Sequence, residues 1–149
     1  MRNATKLIGL AGAVLVLMVG AAAQDKGGAK TDLDKMQGNW RVVSSQVADE
    51  KASEDEVKTR KVTVKGDALT YETGGERKEK REGTLKLDTK TKALDWAWTG
   101  AGASMMAIYD LKGDDLKIGF GNDGLVRPKH FVMAKDEVVW LLVLKREKP

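Results

Sequence analysis

Residues 94–120 read LDWAWTGAGASMMAIYDLKGDDLKIGF and carry the clearest structural signal in the chain. Apolar and polar side chains alternate in three short runs, and the runs are separated by the glycine-containing segments 100–102 and 112–115. Alternation with a period of two is typical of a half-buried β-strand, and glycine next to aspartate favours a tight turn. The stretch therefore predicts three antiparallel strands joined by hairpins.

The same alternation extends from Trp40 to Leu144 and predicts about nine short strands, with turn signals roughly every 8–12 residues. They include a strand marked by Phe131 and Met133, and a last strand over residues 138–144. The pattern is an unbroken meander, whereas a sandwich would usually need longer crossovers. It favours an all-β fold, a single antiparallel up-and-down barrel of about eight or nine strands, because closure removes exposed strand edges.

One short helix is expected after the first strand. Ser53 followed by Glu56 fits a capping box, and the acidic residues there lie at the partially positive helix N-terminus. Thr31 is suited to cap a shorter turn that stops near Gly38.

The N-terminus has the layout of a secretory signal peptide. Arg2 and Lys6 precede an apolar run over residues 7–20, and three alanines at 21–23 supply a cleavage site. The expected organisation is a signal peptide at 1–23, a flexible leader at 24–32 and a barrel domain at 33–148. An uncleaved anchor is the alternative, but the run is short for a span of about 20 residues. We expect an exported protein, either periplasmic or extracellular.

Composition excludes several functional classes. The chain has no Cys and one His, which excludes disulfide scaffolds, thiol nucleophiles and multi-His metal sites. Without Arg2 and Lys6 the net charge falls from +4 to +2, and basic residues alternate with acidic ones over 76–82. A nucleic-acid surface would need a patch of one sign. No second apolar run is long enough to span a membrane, so we expect no membrane span after cleavage and no nucleic-acid partner.

Four blocks resemble one known family. Residues 36–44 (MQGNWRVVS) are similar to its opening "LQGxWxVVS", and residues 108–118 (IYDLKGDDLKI) to its "IYxLxGDxLKL" hairpin. Residues 127–131 (RPKHF) resemble its "RPxxF" strand entry, and residues 141–148 (LLVLKREK) its C-terminal "LLVLKREK". The family comprises small exported domains of planctomycete bacteria without an established activity. The resemblance implies a lipocalin-like barrel. Many members have Cys where this chain has Gly119.

The resemblance also points to a structural barrel end formed by Gly38, Trp40 and Arg146. In lipocalin-like barrels a basic side chain from the last strand commonly stacks on the tryptophan of a G-x-W motif. Arg146 has the same parity as Leu142 and Leu144, so we expect it to pack over Trp40 as a cation–π pair. Trp40 could instead line a ligand pocket.

The remaining aromatic side chains form the candidate ligand site. If they converge in the barrel, they line either a cavity for an apolar ligand or an ordinary filled core, and an eight-stranded barrel is only just wide enough for side chains to fill. The candidates are Trp96, Trp98, Tyr109, Phe120 and Trp140.

No catalytic set or metal site is predicted. His130 has no Ser or Cys partner nearby in sequence, and we expect it at the surface. Asp110, Asp114 and Asp115, with Asn122 and Asp123, could offer oxygen ligands to calcium, but their spacing does not match an EF-hand and these residues form turns in their own right. No cofactor is expected.

Two non-enzymatic functions follow from the sequence. The first is binding of a small apolar or amphipathic ligand in the barrel. The second is an envelope protein-interaction or structural module with a solid core and a functional outer surface. An enzyme is the least favoured reading, because no nucleophile–base pair can be identified.

Overall fold

The computed structural model describes residues 31–76, 78–102 and 104–149, and this part of the chain is nearly all β. Two five-residue helices, α1 (Asp32–Met36) and α2 (Glu54–Lys58), and a 3₁₀ turn at Asn122–Gly124 accompany the strands. The strands are β1 (Gly38–Val47), β2 (Glu50–Lys51), β3 (Lys61–Lys65), β4 (Ala68–Thr73), β5 (Glu79–Asp88), β6 (Ala93–Trp98), β7 (Ser104–Lys112), β8 (Asp115–Phe120) and β9 (Trp140–Arg146).

The strands close into a barrel. From β3 to β9 each strand pairs antiparallel with the next, and β1 pairs with β3 on one side and with β9 on the other. Eight strands thus form a continuous wall, while β2 is an extra strand that pairs only with the end of β1. The predicted antiparallel up-and-down barrel of eight or nine strands is confirmed.

Side-chain parity in the wall follows the sequence pattern. On β6, Leu94 and Trp96 are buried, whereas Asp95 between them is partly exposed. On β8, Ile118 and Phe120 are buried inside. Alternate side chains of a strand point to opposite faces, so the apolar set fills the barrel and the polar set faces outward.

Both short helices begin with a capping box. Ser53 caps α2 together with Glu56, as their spacing predicted. Thr31 caps α1, also as predicted, and the structure adds Asp34 as the second member of that box. Asp32, which the sequence assigned to the leader, is only 6% exposed and packs against the barrel. The packed domain therefore already includes this residue. Residues 1–30 lie outside the described part of the chain.

The segment between β8 and β9 differs from the prediction. Phe131 and Met133 are not in a strand; only an isolated parallel bridge joins Met133 to Val138. The segment packs against the wall at Gly119, where a Cβ atom would lie 2.8 Å from Val138 Cγ2 and 3.2 Å from Phe131 Cδ1. Since Gly119 has the outward parity of β8, its missing side chain makes room for this segment on the outer face. The last strand consequently begins at Trp140 and not at residue 138.

No helix in the described ranges is long and apolar enough to cross a membrane.

Candidate functional site

The α1 end of the barrel contains the predicted Trp40–Arg146 pair. Trp40 is 0% exposed, and its indole Nε1 donates to the Met36 carbonyl oxygen at 2.8 Å. The Arg146 guanidinium carbon lies 4.2 Å from the centroid of the Trp40 ring, as expected from the resemblance to lipocalin-like barrels and from strand parity. This is cation–π geometry, and the partial burial of Arg146 strengthens it.

Arg146 is held by three acceptors besides the ring. Nη1 donates to the Gln37 carbonyl at 2.5 Å, Nη2 donates to the Lys35 carbonyl, and Nε donates to Asp114 Oδ1 at 3.1 Å. These bonds tie the C-terminal end of α1 to β9 and to the β7–β8 turn. Gly38 lies beside them at φ +114°, which a side chain rarely adopts. This end of the barrel is firmly closed.

Four of the five predicted ligand-site rings meet near the opposite end. Trp96 lies 5.0 Å from Trp98 and 5.4 Å from Phe120 between ring centroids, and Phe120 stacks on Trp140 at 4.5 Å. Tyr71, which sequence reasoning did not single out, joins them at 6.2 Å from Trp98 and 6.4 Å from Trp96. Tyr71 lies two residues after the buried Leu69 on β4, and this spacing was the sequence signal that could have identified it as facing inward.

Tyr109 lies apart from that cluster. Its hydroxyl donates to Asp32 Oδ2 at 2.7 Å, and Lys92 Nζ lies 2.5 Å from the same oxygen. The bond from Lys92 holds the pKa of Asp32 below its ordinary value, and burial raises the pKa of Tyr109 well above its own. Tyr109 therefore fastens α1 to β7 and is not brought to the other four predicted rings.

The barrel interior is packed around the deeper rings. Trp96, Phe120 and Leu142 are 0% exposed, which means that no water molecule fits against these side chains inside the barrel. Five surface grooves of about 220 to 550 Å³ are lined by residues of the outer face and the barrel ends. Any space for a ligand in the cluster therefore lies at its partly exposed edge.

That edge is the end of the barrel occupied by Trp98, which we call the Trp98 end. Trp98 and Tyr71 are partly exposed, and Arg81 Cζ lies 5.8 Å from the Trp98 ring centroid. Arg81 Nε donates to Glu79 Oε1 at 2.6 Å. A groove of about 400 Å³ lies here, lined by Lys80, Arg81, Glu82 and residues 98–101. Burial raises the pKa of the Tyr71 hydroxyl, and the nearby positive charge of Arg60 opposes that rise.

The indole of Trp96, whose ring centroid lies 5.0 Å from that of Trp98, has an unpaired donor. Its Nε1 is fully buried and has no hydrogen-bond acceptor among the described residues. By contrast, Trp40 Nε1 bonds to Met36 O at 2.8 Å and Trp140 Nε1 bonds to Ser45 Oγ at 3.2 Å. Buried donors are normally paired, because an unpaired one loses its hydration without compensation.

The candidate metal residues do not assemble into a site. Asp114 receives a hydrogen bond from Arg146, and Asp110 pairs with Lys112 at 2.8 Å. In the described ranges no three His, Asp or Glu side chains are placed to hold a metal ion. His130 is exposed, and its Nδ1 lies 3.3 Å from Glu137 Oε1.

Comparison with protein-family models, with curated proteins and with solved structures finds no match to this chain.

Proposed function

We propose that this chain is an exported, non-enzymatic β-barrel that binds a small apolar molecule at the Trp98 end. The observation that carries the proposal is the unpaired, buried Nε1 of Trp96, whose ring packs 5.0 Å from that of Trp98 between centroids. A bound molecule with an apolar body and one acceptor oxygen would pair this donor and cover the rings. Sites for small molecules typically combine aromatic walls with a few polar groups in this way.

The two ends of the barrel differ in how easily they can open. At the closed end Arg146 covers Trp40 and has three further acceptors. At the Trp98 end Arg81 covers Trp98 from a longer distance and has one ion pair, with Glu79. Exposed ion pairs contribute little to stability, so a rearrangement of Arg81 costs much less than one of Arg146.

Export is proposed from the signal-like segment at 1–23, which lies outside the described residues. An exported barrel lies in the periplasm or outside the cell. The non-enzymatic assignment is proposed from the sequence, in which no nucleophile–base pair can be identified.

The second candidate is an interaction or structural module of the envelope, and the packed interior favours it. The 0% exposure of Trp96 and Phe120 describes a solid core, which fits a protein that acts only through its outer surface. Under this alternative the unpaired indole N–H has no ligand.

Binding of a neutral aromatic amide separates the two candidates. We would titrate the protein with 2-naphthamide, whose carbonyl offers one acceptor, and follow tryptophan fluorescence and calorimetry. Native mass spectrometry of protein purified from its own envelope would run in parallel. Saturable 1:1 binding that weakens in the Trp96→Phe variant supports the ligand site. A bare chain in the mass spectrum together with no binding of the amide supports the interaction module.

A further inference from the structure

The charges around the Trp98 end indicate the chemistry of the ligand. We infer that the ligand is a small aromatic or apolar carboxylic acid, whose carboxylate takes the place of Glu79 on Arg81 while its ring lies against Trp98. This inference rests on the proposed function, since it specifies the class of molecule that the same end of the barrel binds.

Arg81 is placed as a receptor for a carboxylate. It lies on β5 directly opposite Tyr71 of β4, and it has the same parity as Gly83 and Leu85, whose positions face the barrel interior. Its guanidinium therefore reaches over the barrel end and lies 5.8 Å from the Trp98 ring centroid. A planar guanidinium can bind a carboxylate through two parallel hydrogen bonds.

The present partner of Arg81 can be exchanged. Glu79 lies two residues earlier on the same strand, and its Oε1 accepts from Arg81 Nε at 2.6 Å. Both side chains are more than half exposed, at 54% for Arg81 and 53% for Glu79. Water screens such a pair, and holding two long side chains together costs entropy, so the pair adds little stability. An incoming carboxylate replaces an acceptor of the same chemistry and adds ring contacts that Glu79 cannot make.

The charged side chains near the groove have a net excess of one positive charge, with Arg60, Lys80 and Arg81 against Glu79 and Glu82. Arg60 lies close enough to the Tyr71 hydroxyl to affect its ionisation, which places a second positive charge near the aromatic rings. Lys80 lines the groove and pairs with Glu82 at 3.3 Å. The groove beside Trp98 measures about 400 Å³, which is within the usual range for small-molecule sites of about 300–1,000 Å³.

Arg146 differs from Arg81 in how fully its guanidinium is hydrogen-bonded. It also lies over a tryptophan, but its guanidinium group already donates to two backbone carbonyls and to Asp114. A carboxylate that displaced these acceptors would break the bonds that tie the C-terminal end of α1 to β9. Of the two arginine-covered tryptophans, only the one at the Trp98 end can accept a ligand without loss of the fold.

Three probes of similar shape test the inference in the full-length protein: 2-naphthoate, neutral 2-naphthamide and the cation 2-naphthylmethylammonium. We expect 2-naphthoate to bind about tenfold more tightly than the amide, as one added charge-assisted hydrogen bond would produce. The cation should bind more weakly than either. Calorimetry would give the three dissociation constants.

Substitutions of Arg81 and of Glu79 should change the binding of 2-naphthoate in opposite directions. Arg81→Gln should abolish the tenfold preference for the acid, whereas Glu79→Gln should strengthen naphthoate binding because it removes the competing carboxylate. Lys86→Gln, an exposed lysine on the outer face of the same strand, is the matched control for loss of one positive charge and should leave the preference unchanged. If Arg81 and Glu79 formed only a surface pair, neither substitution would change the preference.

The outcomes separate the two proposals. If the amide binds and the acid binds no more tightly, the proposed function stands and the inference about the acid is wrong. If all three probes bind equally and Arg81→Gln has no effect, the inference is also wrong. If none of the probes binds, both the site and its ligand class are refuted.

Discussion

Arg146 should be one of the most costly single residues to replace in this fold. In Arg146→Met the stem is retained, but the guanidinium over Trp40 and its three hydrogen bonds are lost. The cation–π contact contributes about 1 kcal/mol. The hydrogen bonds of a charged donor, discounted for the 23% exposure of the Arg146 side chain, add about 2–3 kcal/mol together. We expect a loss of about 3–4 kcal/mol in the free energy of unfolding.

Urea unfolding followed by tryptophan fluorescence would measure this loss, and thermal unfolding should show a Tm lower by roughly 10 °C or more. Arg146→Lys keeps the charge but loses the planar fork, and it should cost about 2 kcal/mol. Arg41→Met, an exposed arginine on the neighbouring β1, is the control and should change stability by less than about 0.5 kcal/mol. A cost below about 1 kcal/mol for Arg146→Met, or a lysine variant as stable as the natural protein, would refute the closed-end assignment.

Three further substitutions test other parts of the structure. Trp96→Phe should lower the free energy of unfolding in urea by at least about 1 kcal/mol less than Trp40→Phe, since of these two indoles that of Trp40 is hydrogen-bonded and that of Trp96 is not; equal losses would contradict the unpaired donor. Gly119→Ala should lower stability by about 1–2 kcal/mol through contact with Val138, and an unchanged Tm would argue against it. Asp32 has a lowered pKa, so its contribution is present at neutral pH and is lost as pH falls below about 4. The stability difference between the natural protein and Asp32→Asn should therefore shrink in acid; an equal difference at pH 7 and pH 3 would contradict it.

The wall of the barrel was predictable because its signal is local. The alternation around Trp96 and Phe120 fixes which side chains face inward, and the glycine turns fix where each hairpin reverses. The pairing of Trp40 with a basic residue of the last strand was expected from the resemblance to lipocalin-like barrels, and strand parity selected Arg146. Closure by β1 and β9 brings them together, with Trp40 and Arg146 directly opposite each other.

The parts that sequence reasoning missed depend on contacts between distant segments. Phe131 and Met133 have the spacing of a strand, but the missing side chain at Gly119 lets Phe131 and Val138 pack on the outer face of the wall instead. Tyr109 has the parity of the other rings, yet its height on β7 places its hydroxyl at Asp32. Whether a residue is at an odd or even position of a strand predicts which face of the wall its side chain occupies. It does not predict how far along the barrel axis that side chain lies.

The candidate site depends on a similar detail. The four predicted rings were found by type and parity, but the unpaired state of Trp96 Nε1 depends on which acceptors surround it in three dimensions. The exposed Arg81–Glu79 pair looked, in sequence, like any part of a mixed-charge hairpin facing water. Its place over Trp98 became apparent only from the structure, in which Arg81 Cζ lies 5.8 Å from the Trp98 ring centroid.

The indole N–H resonances of the four tryptophans offer the most direct test of binding at the Trp98 end. They would be followed by two-dimensional proton–nitrogen NMR during titration with 2-naphthoate and assigned with the Trp96→Phe variant. We predict that the Trp98 resonance shifts most, because the naphthyl ring lies against it, that the neighbouring Trp96 resonance shifts with it, and that the Trp40 resonance under Arg146 does not move. A titration that leaves Trp96 and Trp98 unchanged, or that shifts Trp40 most, would contradict a ligand site at this end of the barrel.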